Sequence, residues 1–205
     1  EVDGWEAKHK DLLEQLSNSR VVRPSSLVDH SESDASDVPV RQGSVPAMLF
    51  GTAVHEVLEL IDLHNPTDAN ITASVVSVAK NLELEDEEVH KKITSYVNSA
   101  LQSELLVRVK EQKLEHAKEV LVSGKVDGQL AEGIVDLLIV EGDEALVVDY
   151  KTDTAASIDE LAALVDKYRP QLKAYETLVA DNPAVKSASS AVLRISEADS
   201  KLLDA

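Results

Sequence analysis

The sequence predicts an α/β or α+β protein with the β-sheet in the middle of the chain, flanked by helices, and a helical segment before the sheet. Three observations carry that expectation. Apolar residues recur at helical spacing from Phe50 to about Glu115, the pattern then collapses into short runs rich in Val, Ile and Leu between Glu119 and Tyr150, and helical spacing returns before a last such run at Ser187 to Ile195. A period near 3.6 lays apolar side chains along one stripe of a helix, whereas short branched runs bounded by turn residues suit strands. The order helices, strand cluster, helices, strand places the sheet in the middle, and no internal repeat interrupts it.

Taken in chain order, residues 1–20 carry apolar positions at Trp5, Leu12, Leu13 and Leu16 and read as a linker or a lead-in helix. Between Pro24 and Pro46 the pattern fails among Ser31, Ser33, Asp34, Ser36, Asp37, Pro39 and Gly43, so residues 25–46 are expected to form a mobile loop. Val54, Val57, Leu58 and Ile61 predict a helix that ends at His64-Asn65-Pro66. Further helices are expected over Ile71 to Leu82, Val89 to Leu101 and Glu104 to about Glu115, with the acids Glu83 and Glu85 to Glu88 as a solvated face or a helix start. Strands follow at Glu119 to Val122, Gly133 to Val140 and Ala145 to Tyr150, the last two joined by the turn signal Glu141-Gly142-Asp143-Glu144. Ser157 to Lys167 reads as a capped helix, and Pro170 suits the first turn of a separate helix running to Val179. With a strand at Ser187 to Ile195, one folded domain is expected over residues 21–196 and a tail over residues 197–205.

The 205 residues suit one domain with extensions, since domains commonly run to about 100–200 residues. Cysteine is absent, which excludes disulfides, a thiol nucleophile, zinc thiolate sites and iron–sulfur clusters. No apolar run approaches the roughly 18–20 residues of a membrane span and no signal peptide is visible, so a cytoplasmic chain without membrane partners is expected. The chain starts at Glu1 and its single methionine is Met48, which suggests a piece of a longer polypeptide. A formal net charge of −18 repels phosphate and argues against a free-standing protein that holds nucleic acid by charge. It fits a metal-dependent site, a protein partner, or a fragment whose basic surface lies elsewhere.

The chemistry concentrates in the hairpin. If Gly142-Asp143 is a two-residue loop, Asp136 falls opposite Asp149, and Lys151 projects from the same face two residues on. A three-residue loop would put the two acids out of phase. Opposed carboxylates within apolar strands repel and lose hydration, so something must compensate. A hard divalent cation, Mg²⁺ or Mn²⁺, would do so, with Lys151 beside it to orient water or stabilise charge as phosphodiester hydrolysis requires. The alternative is a buried salt bridge from Lys151 to one acid, with the other aspartate at a frayed strand end. No GxxxxGK[ST] phosphate loop and no GxSxG elbow is present, and His55-Glu56 does not begin a zincin motif because position 59 is Glu. His9, His30, His64, His90 and His116 show no partner spacing and read as surface residues.

Gly133 and Asp136, then twelve residues, then Asp149-Tyr150-Lys151-Thr152-Asp153 resemble the core of the PD-(D/E)XK nuclease superfamily in its RecB/AddA-like branch. Gly51 to Glu59 is similar to that branch's GxxxHxxLE motif, Glu119-Val120 to its strand with a leading acid, and Gln171-Leu172-Lys173-Ala174-Tyr175 to its QxxxY motif. Arg23-Pro24-Ser25-Ser26-Leu27 resembles the segment that commonly opens the domain. The likeness spans about residues 21–195 with the motifs in family order, and it implies an α/β fold with a restriction-endonuclease-like core: a central mixed β-sheet flanked by helices, with a helical segment inserted before the sheet.

The resemblance implies a Mg²⁺ site ligated by His55, Asp136, Asp149 and the Tyr150 carbonyl, with Lys151 catalytic and Glu119 supporting the metal or its water. It implies that Gln171 and Tyr175 line the site and contact DNA or order the ligands, and Arg169 and Lys173 stand beside them, with Lys167, in a basic stretch that has no acid within it. Without the resemblance, His55 reads as an ordinary helix histidine, Gln171 and Tyr175 as helix surface and Glu119 as a helix end. The function implied is a DNA nuclease, exonucleolytic on single strands fed by a helicase in repair and recombination. The competing reading is a nuclease-like fold kept as a non-catalytic docking or regulatory module of a helicase complex.

Overall fold

In a computed structural model of the chain, the described residues are 21–28, 45–155 and 157–205. The expected lead-in over residues 1–20, most of the expected loop, His9 and His30 lie outside them. Among the described residues, a 3-10 turn at Pro24–Leu27 is followed by four α-helices: α1 (Ala47–Leu60), α2 (Asp68–Asn81), α3 (Glu87–Leu101) and α4 (Glu104–Gln112). The starts of α2, α3 and α4 are capped by side chains, with Thr67, Asp86 and Ser103 accepting from the backbone N–H groups of Asn70, Glu88 and Leu106. The acidic run therefore serves as a helix start, with Glu87 and Glu88 in the first turn of α3, where the helix dipole favours negative charge. Helix α1 stops at Leu60, ahead of the expected His64-Asn65-Pro66 boundary, and α4 stops at Gln112 because Lys113 adopts a left-handed conformation with φ 54°.

Five strands form one sheet in the order β1 (Glu115–Val126), β2 (Gln129–Glu141), β3 (Glu144–Lys151), β4 (Ser187–Arg194), β5 (Lys201–Asp204). Only β3 and β4 are parallel, connected over the sheet by α5 (Ile158–Ala180), so the sheet is mixed. Helices α1–α4 cover one face, where Leu58, Ile93 and Leu106 meet Leu137, Val148 and Leu193. Helix α5 covers the other face, through Tyr175 and Leu178 against Val135 and Val147, and through Leu172 against Val192.

Four expectations change. Strand β1 is far longer than Glu119 to Val122: exposed and half-buried positions alternate along it, with polar residues among both, so outside that stretch it lacks the apolar run used to find it. Asp127-Gly128, with φ 50° and 79°, closes its hairpin with β2, and Asp-Gly at positive φ is a strong two-residue hairpin signal. Helix α5 is continuous through Pro170 rather than split there. Asp166, whose carbonyl loses the proline N–H as a partner, is exposed, and buried residues on both sides of Pro170, from Leu164 to Val179, hold the helix together. The expected tail carries β5, which pairs with β4 from Ala191 to Arg194. Finally, His64, His90 and His116 are half-buried rather than surface residues: His64 and His116 meet Leu114 O, and His90 meets Leu84 O at 2.6 Å.

The β2–β3 hairpin has the two-residue loop and the expected register, Glu141 opposite Glu144 through Leu137 opposite Val148. Its ladder ends one rung before Asp136 and Asp149. The β1–β2 ladder also skips one rung, leaving Glu119 and Asp136 unpaired between Lys118↔Leu137 and Val120↔Val135, with Glu119 at φ 50°. The ribbon turns over at this break: Leu137 and Ile139 pack under α1–α4, whereas Val135 and Ala131 pack under α5. Strict alternation would have kept these residues on one face.

Candidate active site

The break in the sheet is where the candidate residues gather. Asp136 terminates the β2–β3 ladder with its own side chain, Oδ2 accepting from the Tyr150 N–H at 2.6 Å. Asp149 is buried, 4% exposed, and its Oδ1 accepts from Gln171 Nε2 at 3.1 Å. Its Oδ2 pairs with Lys151 Nζ, and that ammonium also lies 4.4 Å from the centroid of the Tyr168 ring. The Tyr168 hydroxyl donates to Asp153, which Lys167 also approaches at 3.5 Å.

Helix α1 brings His55 to this point because it is held at both ends. Near its start, a Cβ at Gly51 would lie 3.0 Å from Thr152 Oγ1, so glycine allows the helix to close on the residue after Lys151. At its end, Lys118 of β1 donates to the carbonyls of Leu58, Glu59 and Ile61, supplying partners for groups that a helix C-terminus leaves free. One turn after Gly51, His55 stands edge-on to Tyr150 with ring centroids 5.6 Å apart, and its Nδ1 lies 3.6 Å from Asp136 Oδ2.

The electrostatics follow from this packing. Burial draws the His55 imidazole down, but the Asp136 carboxylate outweighs it and leaves the imidazole raised. Burial would raise Asp136, yet His55, Lys151 and the Tyr150 N–H hold it below the usual carboxylate range. Asp149 goes the other way: burial, opposed by Lys151 and reinforced by Asp136, pushes its carboxyl up to about 6. Glu119 is raised by burial and then by Asp136 and Glu59.

Two cavities meet at Asp136. One of about 330 Å³ is lined by Gly51, His55, Glu119, Asp136, Tyr150 and Lys151, among others. The second, of about 450 Å³, reaches Asp136 from the side of Gln171 and Tyr175, which share a buried face of α5 as their four-residue spacing requires. Gly133 makes room for Tyr175, since a Cβ there would sit 2.7 Å from Cε1. Arg169 and Lys173 stand apart from both cavities. Each is exposed and paired three residues along the helix, Arg169 with Asp166 and Lys173 with Glu176, so the expected basic patch is neutralised.

As donors, an imidazole and two carboxylates suit a hard divalent cation. Among the described residues, however, no group of three or more His, Asp or Glu side chains is arranged to hold an ion. Asp149 is held by Lys151, and Asp136 lies at the ladder end, which are the features of the salt-bridge alternative. Sharing a cation between these acids sets it in competition with Lys151 for Asp149 Oδ2, whereas His55 Nδ1 and Asp136 Oδ2, 3.6 Å apart, are already near enough to ligate one ion.

A mixed sheet flanked by helices, with Asp136, Asp149 and Lys151 meeting where its central hairpin opens, is the layout of a nuclease-like core. The chain belongs to the PD-(D/E)XK nuclease superfamily, whose family model matches residues 34–202. It is 28% identical over 141 residues to an ATP-dependent helicase/nuclease subunit of Streptococcus pneumoniae strain CGSP14, covering 67% of this chain and 11% of that protein. It is 30% identical over 138 residues to the ATP-dependent helicase/nuclease subunit of the same name from Ruminiclostridium cellulolyticum, covering 61% and 11%. The exonuclease/helicase subunit RexA of S. pneumoniae serotype 4 is 29% identical over 130 residues, covering 62% and 10%. The chain thus spans about a tenth of the length of these relatives. Among the described residues no helix is long and apolar enough to cross a membrane.

Proposed function

We propose that this chain is a Mg²⁺-dependent deoxyribonuclease domain that cleaves single-stranded DNA exonucleolytically, working in the cytoplasm with a helicase that delivers the strand during repair or recombination. The observation that carries the reading is the meeting of Asp136, Asp149 and Lys151 at the open end of the β2–β3 ladder, with His55 brought to Asp136 by a helix pinned at both ends. His55, Asp136, Asp149 and the Tyr150 carbonyl would hold the cation. When bound, Mg²⁺ neutralises phosphate charge and acidifies a water. Released from Asp149, Lys151 stabilises the charge that develops on the phosphate, and the Tyr168 ring, over which the ammonium lies, keeps it beside the site. Gln171 orients Asp149, while Glu119, raised by its surroundings, is placed to take a proton at the mouth of the smaller cavity.

With the purified chain and a labelled single strand, Lys151→Ala and Asp149→Ala should each abolish Mg²⁺-dependent cleavage while leaving far-UV circular dichroism unchanged. Unaltered cleavage by either folded variant would contradict the reading. The Lys151–Asp149 and His55–Asp136 pairings favour a second reading, a docking module without catalysis. Calorimetric titration with Mn²⁺ separates the two: the nuclease reading expects binding that Asp136→Ala removes, and the docking reading expects heats no larger than that variant's.

A further inference from the structure

The larger cavity at Asp136 is lined by a cation, Arg23, and by an apolar pair that the described residues leave exposed. Arg23 opens onto it, and its backbone is fixed in three ways. Val22 bridges to Ala131 of β2, Pro24 is buried with its Cδ 3.1 Å from where a Gly133 Cβ would lie, and the Arg23 carbonyl accepts from both the N–H and the hydroxyl of Ser26. Among the described residues no carboxylate lies within ion-pair distance of its guanidinium. Leu121 and Ile134 face each other across the β1–β2 ladder and line the same cavity, yet they are 71% and 49% exposed. Away from Asp136 the next rungs on that side, Ser123↔Glu132 and Lys125↔Leu130, each contain a polar member. The wholly apolar rung is therefore confined to the one beside the acid, too small for a protein interface of about 800 Å² per partner and matched to a single nucleobase.

Resting on the nuclease reading, we propose that this cavity is a nucleotide subsite for the strand being cut. Arg23 holds the phosphate adjoining the scissile one, the Leu121–Ile134 rung takes that nucleotide's base, and Gln171 and Tyr175 wall the passage to Asp136. Arg23 supplies the positive charge that Arg169 and Lys173, committed to Asp166 and Glu176, do not. Glu132, also at the cavity, repels phosphate and leaves the guanidinium as the side chain there suited to an anion. Apolar contact with a base face is indifferent to base identity, so the subsite is sequence-tolerant.

The test measures fluorescence anisotropy of the purified chain with a short fluorescein-labelled oligothymidylate in EDTA, where neither cleavage nor metal intervenes. Arg23→Gln should weaken binding on the order of ten-fold and reduce the slope of log affinity against log salt by about 0.7, the value of one single-strand phosphate contact. Leu121→Ser/Ile134→Ser should weaken binding several-fold with the slope unchanged, and Lys110→Gln, an exposed lysine on α4, should change binding less than Arg23→Gln does. All these side chains are exposed, and matching melting temperatures verify the fold. With Mg²⁺, the Arg23 and Leu121/Ile134 variants should raise KM while kcat stays close to wild type. Wild-type affinity in both variants, or no binding by the wild type, overturns the subsite even if the wild type cleaves DNA. Arg23-dependent binding by a chain that does not cleave keeps the subsite and sinks the nuclease reading. Unchanged DNA affinity with loss of self-association in Leu121→Ser/Ile134→Ser would assign that rung to a protein contact and also overturn the proposal.

Discussion

Asp136 and Asp149 have the same side chain and opposite electrostatics. Asp136 gains a backbone N–H and an imidazole and is held low, whereas Asp149 is buried with one ammonium and one amide and is pushed up to about 6 from an ordinary 3.8. A carboxyl raised in the folded chain contributes stability that is complete below its unfolded value and is lost as pH rises through its folded value. In metal-free buffer, the melting temperature of the wild type should therefore fall between about pH 4 and pH 7 by more than that of Asp149→Asn. Parallel curves for the two proteins would show that Asp149 is not raised. The lysine and both acids were legible in the sequence from the hairpin register, and the histidine only from the motif around it. Their pairing was not, because whether Lys151 rests on Asp149 or stands free depends on burial that linear spacing does not report.

The elements explain why these residues meet. Helix α1 is aimed by Gly51 against Thr152 and by Lys118 on its last carbonyls, contacts separated in sequence by about 100 and 60 residues. Burial lowers the Lys118 ammonium, and its role is structural: it satisfies carbonyls where the helix ends. Lys118→Met should destabilise the chain by about 1–3 kcal/mol in urea unfolding, since the carbonyls lose a charged partner. It should also lower the His55 titration midpoint followed by NMR, because the ring is no longer held toward Asp136. A variant of wild-type stability with unchanged His55 titration would show that α1 is positioned by its apolar face alone. The sequence revealed this helix through Val54, Val57 and Leu58, but nothing in its period indicated the clamp. The Asp127-Gly128 turn and the full length of β1 had a readable signal in the Asp-Gly pair. The kink at Glu119 had none, since a glutamate at positive φ is set by the two strands turning over together.

On the scale of the whole molecule, the order of helices, strand cluster, helical stretch and strand was legible from periodicity, whereas the single crossover helix that makes the sheet mixed was not, because Pro170 reads as a break. The net charge of −18 was equally plain, and the structure places its meaning in context. The basic residues of α5 are spent on neighbouring acids, and the acids at the centre of the sheet are balanced by one lysine and one histidine. Such a surface has little attraction for DNA at a distance, which agrees with a domain that receives its strand from a larger assembly. In the nuclease reading, Asp149 exchanges Lys151 for a cation that it shares with Asp136 and His55. The most direct test of this exchange is a crystal structure of the chain soaked in Mn²⁺ with anomalous scattering recorded. One anomalous peak ligated by His55, Asp136 and Asp149, with Lys151 displaced from Asp149, is expected. Retention of the Lys151–Asp149 contact, with no peak between the two acids at saturating Mn²⁺, would contradict the nuclease reading.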